Sequence, residues 1–291
     1  MPIYMDAQCY LCHFKRNVEA AQSMGDAQTA TRFARELMKL YLEESGEVSA
    51  LCFSPRVEEL FRKYYGVEGD RFREEKAASN RFVLERLDTL RQRIEASGDP
   101  LYTALSYALL GNYIDFSALH NEVSFEKLDA MLESPQQMQV DRGSFDDLCR
   151  ELARAKTLLY LTDNAGEIGF DRLFAEQIHK AYPQVAITFC VRGGPAANDA
   201  TRGDAEAVGI PFPVIDNGNT IPGTYLPALG QEAKRALETA DVIFSKGQAN
   251  VETLYGSGYP IFFAFLVKCQ RFIEEFGRPK LSPMLLREGK R

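Results

Sequence analysis

The order of apolar and polar positions divides the chain into two parts. From residue 7 to about 154 the apolar residues recur at helical spacing. The stretch 20–41 is alanine-rich with few breakers, and 70–96 mixes Arg, Glu and Leu at the same spacing. Ser97-Gly98-Asp99-Pro100 reads as a helix stop followed by a fresh start. Near Lys156 the pattern changes. Apolar runs at 157–162, 185–191, 212–215, 242–245 and 261–267 read as strands, with helical patterns at 168–181, 199–208 and 228–240 between them. That alternation predicts a mainly parallel sheet covered on both faces by helices, an α/β class. The expected organisation is an all-helical block, 1–154, followed by an α/β block, 155–291. No Pro/Gly/Ser linker marks the boundary, so the two are expected to pack together rather than swing.

The strand ends carry the chemistry. In an open parallel sheet the carboxyl edge is where ligands bind. The first run ends in Asp163-Asn164, with Glu167 three residues on. Two hard oxygen groups side by side suit a divalent cation, whereas Asn164 with Glu167 also fits a helix capping box. The second run ends in Arg192-Gly193-Gly194, followed by Asn198-Asp199. Paired glycines can point backbone N–H groups at an anion, and Arg192 would add charge; alternatively, Asp199 simply caps the next helix. The fourth run ends in Lys246-Gly247, where a lysine suits a phosphate oxygen or simply points into solvent. In the helical half, Asn112 and Asp115 follow Gly111 at the end of an apolar helix. They read either as stop and cap or as one wall of the site. If the three turns converge, the set suits metal-assisted phosphoryl chemistry.

Composition narrows this picture. Hydrophobic content of 45% and charged content of 26% are ordinary for a globular chain. A net charge of −7 argues against nucleic-acid binding. The start of the chain lacks the pattern of a signal peptide, and 261–267 is too short to span a bilayer, so the expected location is cytoplasmic, without membrane partners. The six cysteines (9, 12, 52, 149, 190, 269) are scattered, unlike a secreted disulfide framework. Cys9-x-x-Cys12-His13 has the local pattern of c-type haem attachment, which requires export, and lacks the partners of a four-ligand zinc site. The simplest expectation is buried thiols or a redox pair.

Taken in order, Asp-Asn-Ala-Gly-Glu at 163–167, Arg-Gly-Gly-Pro with Asn-Asp-Ala-Thr at 192–201, and Lys-Gly-Gln-Ala-Asn at 246–250 resemble the damage-control phosphatase family, once catalogued as domain of unknown function 89. Gly-Asn-x-x-Asp at 111–115 and the early Cys-x-x-Cys resemble its short prokaryotic branch. The resemblance implies a helical part packed on a Rossmann-like three-layer α/β/α part. It also implies a metal-dependent phosphatase of small phosphometabolites, such as sugar phosphates or damaged cofactor phosphates. It assigns one divalent ion (Mn, Mg, Co or Ni) to Asp163, Asn164 and Asp199, and the phosphate to Lys246. Ala249 replaces a glycine usual in the family. On this reading Arg192, Gly193, Gly194, Asn198, Asn112 and Asp115 help bind substrate, and Glu167 is a candidate general acid/base beside Asp163. Rival expectations are a Rossmann-like transferase, such as a methyltransferase, and a non-catalytic phosphometabolite sensor. The oligomeric state is not legible.

Overall fold

The computed structural model describes residues 3–43, 48–115 and 124–289, so the extreme ends of both expected blocks lie outside the described residues. Eight helices precede the first strand among those residues: α1 (Ala7–Met24), α2 (Ala27–Glu43), α3 (Ser54–Tyr65), α4 (Arg73–Leu84), α5 (Leu87–Ala96), α6 (Pro100–Gly111), α7 (Phe125–Leu132) and α8 (Arg142–Leu152). Local chemistry explains their limits. Asp6 accepts from the Cys9 backbone N–H at the start of α1, and Asp99 accepts from that of Tyr102 just ahead of Pro100. The long patterns at 20–41 and 70–96 each break in two, at Gly25-Asp26 and at Glu85-Arg86. At the first break Asp26 caps α2 through the Thr29 N–H.

The second half is β1 (Thr157–Leu161), α9 (Glu167–Ala181), β2 (Ala186–Val191), α10 (Arg202–Ala207), β3 (Val214–Asp216), α11 (Gln231–Thr239), β4 (Val242–Lys246), α12 (Gln248–Leu254), β5 (Ile261–Leu266), α13 (Gln270–Phe276) and β6 (Pro283–Glu288). One six-stranded sheet has the order β3-β2-β1-β4-β5-β6. All pairs are parallel except β5 with β6, an antiparallel edge that the apolar pattern did not reveal. Strand order reverses between β1 and β4, the crevice where doubly wound sheets bind ligands.

Strand alternation sorts side chains into two apolar layers. Leu158, Tyr160, Phe244, Phe262 and Ala264 face one core, which also holds residues of α4 to α9. Leu159, Leu161, Ile243, Phe263 and Phe265 face the other, beneath α11, α12 and α13. The apolar core therefore runs across residues 154–155, because α4 to α8 cover one sheet face beside α9. Helices α1 to α3 enclose a third core around Phe33, Leu37, Phe53 and Phe61 and form a cap. No described helix is long and apolar enough to cross a membrane.

Within the cap His13 is buried, its Nδ1 2.6 Å from the Tyr41 hydroxyl. Burial, with some help from the Arg16 charge, pushes its pKa down to about 3. The folded chain thus holds His13 neutral, while the unfolded chain binds a proton below about pH 6.5. Its stabilising contribution is complete above that pH and is lost as pH falls from there towards about 3. Melting curves taken between about pH 7 and about pH 4 should therefore show a shallower loss of stability for His13→Gln than for the natural chain. Equal slopes would contradict this account.

Candidate active site

Backbone bonds zip the first two turns together. Beyond β1, the Asp163 carbonyl accepts from the Ala200 N–H at 2.7 Å, and the Ala165 N–H donates to the Asn198 carbonyl at 2.9 Å. Asn164 and Asp199 form a single antiparallel bridge between these bonds. Asp199 is therefore not a helix cap; that place belongs to Thr201, in a capping box with Asp204. The third turn enters through Gly247, whose φ is +79°. A Cβ there would lie 1.9 Å from Asp163 Oδ2, so only glycine lets that carboxylate cross the end of β4.

Behind these groups runs a buried polar chain. Asn112 Nδ2 donates to Asp163 Oδ2 at 3.0 Å and to both Glu167 oxygens, and its Oδ1 accepts from the Leu266 N–H. Asn164 Nδ2 donates to Asp163 Oδ2 and Glu167 Oε2, both at 2.7 Å. The Asn164–Glu167 pair is thus not a simple cap: the amide faces Asp163, and its Oδ1 accepts from Asn198 Nδ2 at 2.8 Å. Lys246 Nζ donates to Glu167 Oε1 at 2.7 Å, Asp171 Oδ1 at 2.5 Å and the Ala108 carbonyl at 2.8 Å. Arg192 donates through Nε to Asp199 Oδ2 at 2.6 Å and through a second nitrogen to the Thr162 carbonyl.

A cavity of about 360 Å³ opens over the strand ends. Asp163, Asn164, Asn198, Asp199, Asp115 and Lys268 line its inner end. Of the expected site residues, Lys246, Glu167, Arg192, Asn112, Gly193 and Gly194 are not in its wall. For Lys246, Glu167, Arg192 and Gly193 the physical cause is visible. Lys246 has all three of its N–H groups taken by protein acceptors, and the Glu167 oxygens are saturated. Arg192 is turned away from the cavity, onto Asp199 and the Thr162 carbonyl. Gly193 is exposed, and its N–H already donates to the Asn219 carbonyl and Asn217 Oδ1. A Cβ on Gly193 would meet the Asn219 nitrogen at 2.7 Å, so loop packing, rather than an anion, explains this glycine.

The cation beside these carboxylates in the cavity wall is Lys268, two residues beyond β5, with Nζ 2.6 Å from Asp115 Oδ2. It ends the apolar run 261–267 as Lys246 ends its own, so the same signal could have found it. Burial works against its charge, but Asp115, Asp163 and Glu167 outweigh that and hold its pKa above the ordinary lysine value. Asp163 is pushed well above the carboxylate range by burial and by the nearby charges of Glu167 and Asp199. Asp199 is also raised, burial outweighing the opposing pull of Arg192. A cation among these groups would relieve that cost. Among the described residues no three His, Cys, Asp or Glu side chains form a metal cluster. The expected set is instead two carboxylates and an amide, all hard oxygen donors, beside the buried Asn198 Oδ1, which finds no hydrogen-bond partner among the described residues. These residues fit a hard divalent ion.

Cys9 and Cys12 are not buried core thiols; Cys9 is half-buried, Cys12 is exposed, both are free, and both line the outer cavity with Cys269. Burial pushes the Cys9 thiol up to about 12. Gly247→Ala should destabilise the fold by at least about 2 kcal/mol, combining left-handed strain with displacement of Asp163. Urea denaturation measures this, and an unchanged midpoint would refute the close approach.

The chain was compared with known proteins. Residues 5–282 match the model of the damage-control phosphatase ARMT1-like domain. A damage-control phosphatase of Archaeoglobus fulgidus is 32% identical over 83% of this chain and 87% of its own. A damage-control phosphatase of Pyrococcus horikoshii is 31% identical over 96% of both chains. The crystal structure of a P. horikoshii protein of the family once catalogued as domain of unknown function 89 superposes with a TM-score of 0.84 at 28% identity, covering 98% of this chain and 99% of that one. The order of the strand-end motifs and the extent of these matches lead to one conclusion: the chain belongs to the damage-control phosphatase family, of the ARMT1-like kind.

Proposed function

We propose that this chain is a divalent-metal-dependent phosphatase of small phosphorylated metabolites. The observation that carries the reading is the inner cavity, where Asp163, Asn164 and Asp199 share a wall with the Lys268–Asp115 pair. Asp163, Asn164 and Asp199 would hold the ion, which would neutralise phosphate charge and polarise the phosphorus centre.

The chain's own groups do the positioning. Lys268 is the phosphate-binding cation in this proposal, since an ammonium in the cavity wall can turn one N–H to a phosphate oxygen while another stays on Asp115. Lys246 acts through Glu167. It holds that carboxylate, which with Asn112 and Asn164 fixes the plane of the Asp163 carboxylate. Arg192 does the same for Asp199. Glu167, enclosed and saturated, serves as an orienting group rather than a proton carrier. The sugar-phosphate substrate class is part of the proposal and rests on the cavity's size, which lies near the lower end for small-molecule sites.

Phosphate release from p-nitrophenyl phosphate and glucose 6-phosphate by metal-stripped protein, restored separately with Mn²⁺, Mg²⁺, Co²⁺ and Ni²⁺, tests the reading. Restored turnover should fall by about 10²–10³-fold in Asp163→Asn and in Lys268→Met. Binding of glucose 6-phosphate without release by any ion would overturn the phosphatase in favour of a non-catalytic binder.

A further inference from the structure

We infer that the outer half of the same cavity binds a second anionic group of the substrate, so that the preferred substrates are small phosphate esters carrying a carboxylate or a second phosphate. The inference rests on the phosphatase reading only for what occupies the inner end. The cavity is larger than a phosphate needs, and its remaining wall must therefore touch the body of the ester. Three cations line that wall from three separate places: Arg16 on α1, Arg271 on α13, and Lys280 in the loop before β6. Arg16 lies at i+7 from Cys9 and i+4 from Cys12, so the α1 stripe that faces the cavity ends in a guanidinium. Arg271 lies three residues beyond Lys268, so one segment carries the inner cation and an outer one.

Counter-charges lie beside Arg271. Arg271 Nε lies 3.5 Å from Asp6 Oδ2, and another of its nitrogens is 3.0 Å from Glu275. That Nε is nevertheless buried without a hydrogen-bond acceptor among the described residues. Asp6 is shared, since it also caps α1. The carboxylate that lines the outer wall is Glu252, whose two oxygens accept from Ser49 Oγ at 3.0 Å and Gln248 Nε2 at 3.2 Å. Burial raises the pKa of Glu252, which weakens it as a rival anion. No Phe, Tyr or Trp is among the described residues lining the cavity, and its one ring, His13, is buried against Tyr41. A small anionic ester is what the cations of the wall fit.

The test uses three probes that share a hexose-sized body: glucose 6-phosphate, 6-phosphogluconate and glucose 1,6-bisphosphate. Calorimetric binding and metal-restored phosphate release are both read on the whole chain. One or both doubly anionic probes should bind at least about tenfold more tightly than glucose 6-phosphate and show a matching kcat/KM advantage. Which of the two gains tells a carboxylate subsite from a phosphate subsite. The advantage should shrink as salt rises, and it should collapse towards parity in Arg16→Gln and Arg271→Gln, each checked for fold by circular dichroism. Selective binding without release would overturn the phosphatase and leave the subsite supported. Equal binding of all three probes, or an advantage untouched in both variants, would overturn the subsite.

Discussion

A carboxylate enclosed by protein has to be held by donors and opposite charges, and Asp163 is such a carboxylate. It lies at the reversal of strand order, 2% exposed, over the bare backbone of Gly247. Burial and its acidic neighbours favour its protonated form. Two amide groups, Asn112 and Asn164, donate to one of its oxygens, while Lys246 offsets Glu167 behind them. Removing one member of a buried ionic set costs about 3–5 kcal/mol, because it strands the other charge. The whole chain of contacts therefore acts as a unit. Arg192 and Asp199 repeat the logic on the second turn.

This requirement explains why helices from the first half pack directly on the sheet. Asn112 ends α6 and bonds to Asp163, Glu167 and the backbone of Leu266 at once. The carbonyl of Ala108, one turn earlier, accepts from Lys246. An independent helical lobe could not hold these distances, whereas a shared apolar core can. The α1–α3 cap has its own core and a looser duty, to wall the mouth of the cavity. Scaffold and mouth are thus built from different parts of the helical half, with Asn112 and the Ala108 carbonyl on the sheet-packed part and Cys9, Cys12 and Arg16 on the cap.

Periodicity and turn chemistry were sufficient for the order of elements, for the parallel sheet and for the three strand ends where polar residues gather. These are local properties: a run of branched and aromatic residues stopped by Asp163-Asn164 cannot continue as buried strand, and Asp99-Pro100 can only begin a helix. The resemblance added a family, which the extent of the matches establishes. Helices α12 and α13 and the edge strand β6 escaped because they are short, and the pairing of β6 is non-local.

Which of two lysines faces the cavity was decided by tertiary structure alone. Lys246 and Lys268 both end apolar strands, but β4 lies at the sheet centre, where α9 presents Glu167 and Asp171 to its last side chain. Lys268 lies beyond the end of β5, past that acidic pair, and meets Asp115 in the cavity wall. Likewise Arg192 and Gly193 look like an anion cradle in one dimension, yet Arg192 Nε is drawn to Asp199 and the Gly193 N–H to the 217–219 loop. A residue's donors are spent on whatever acceptors the fold brings nearest. Sequence names the donors, but only packing decides where they are used.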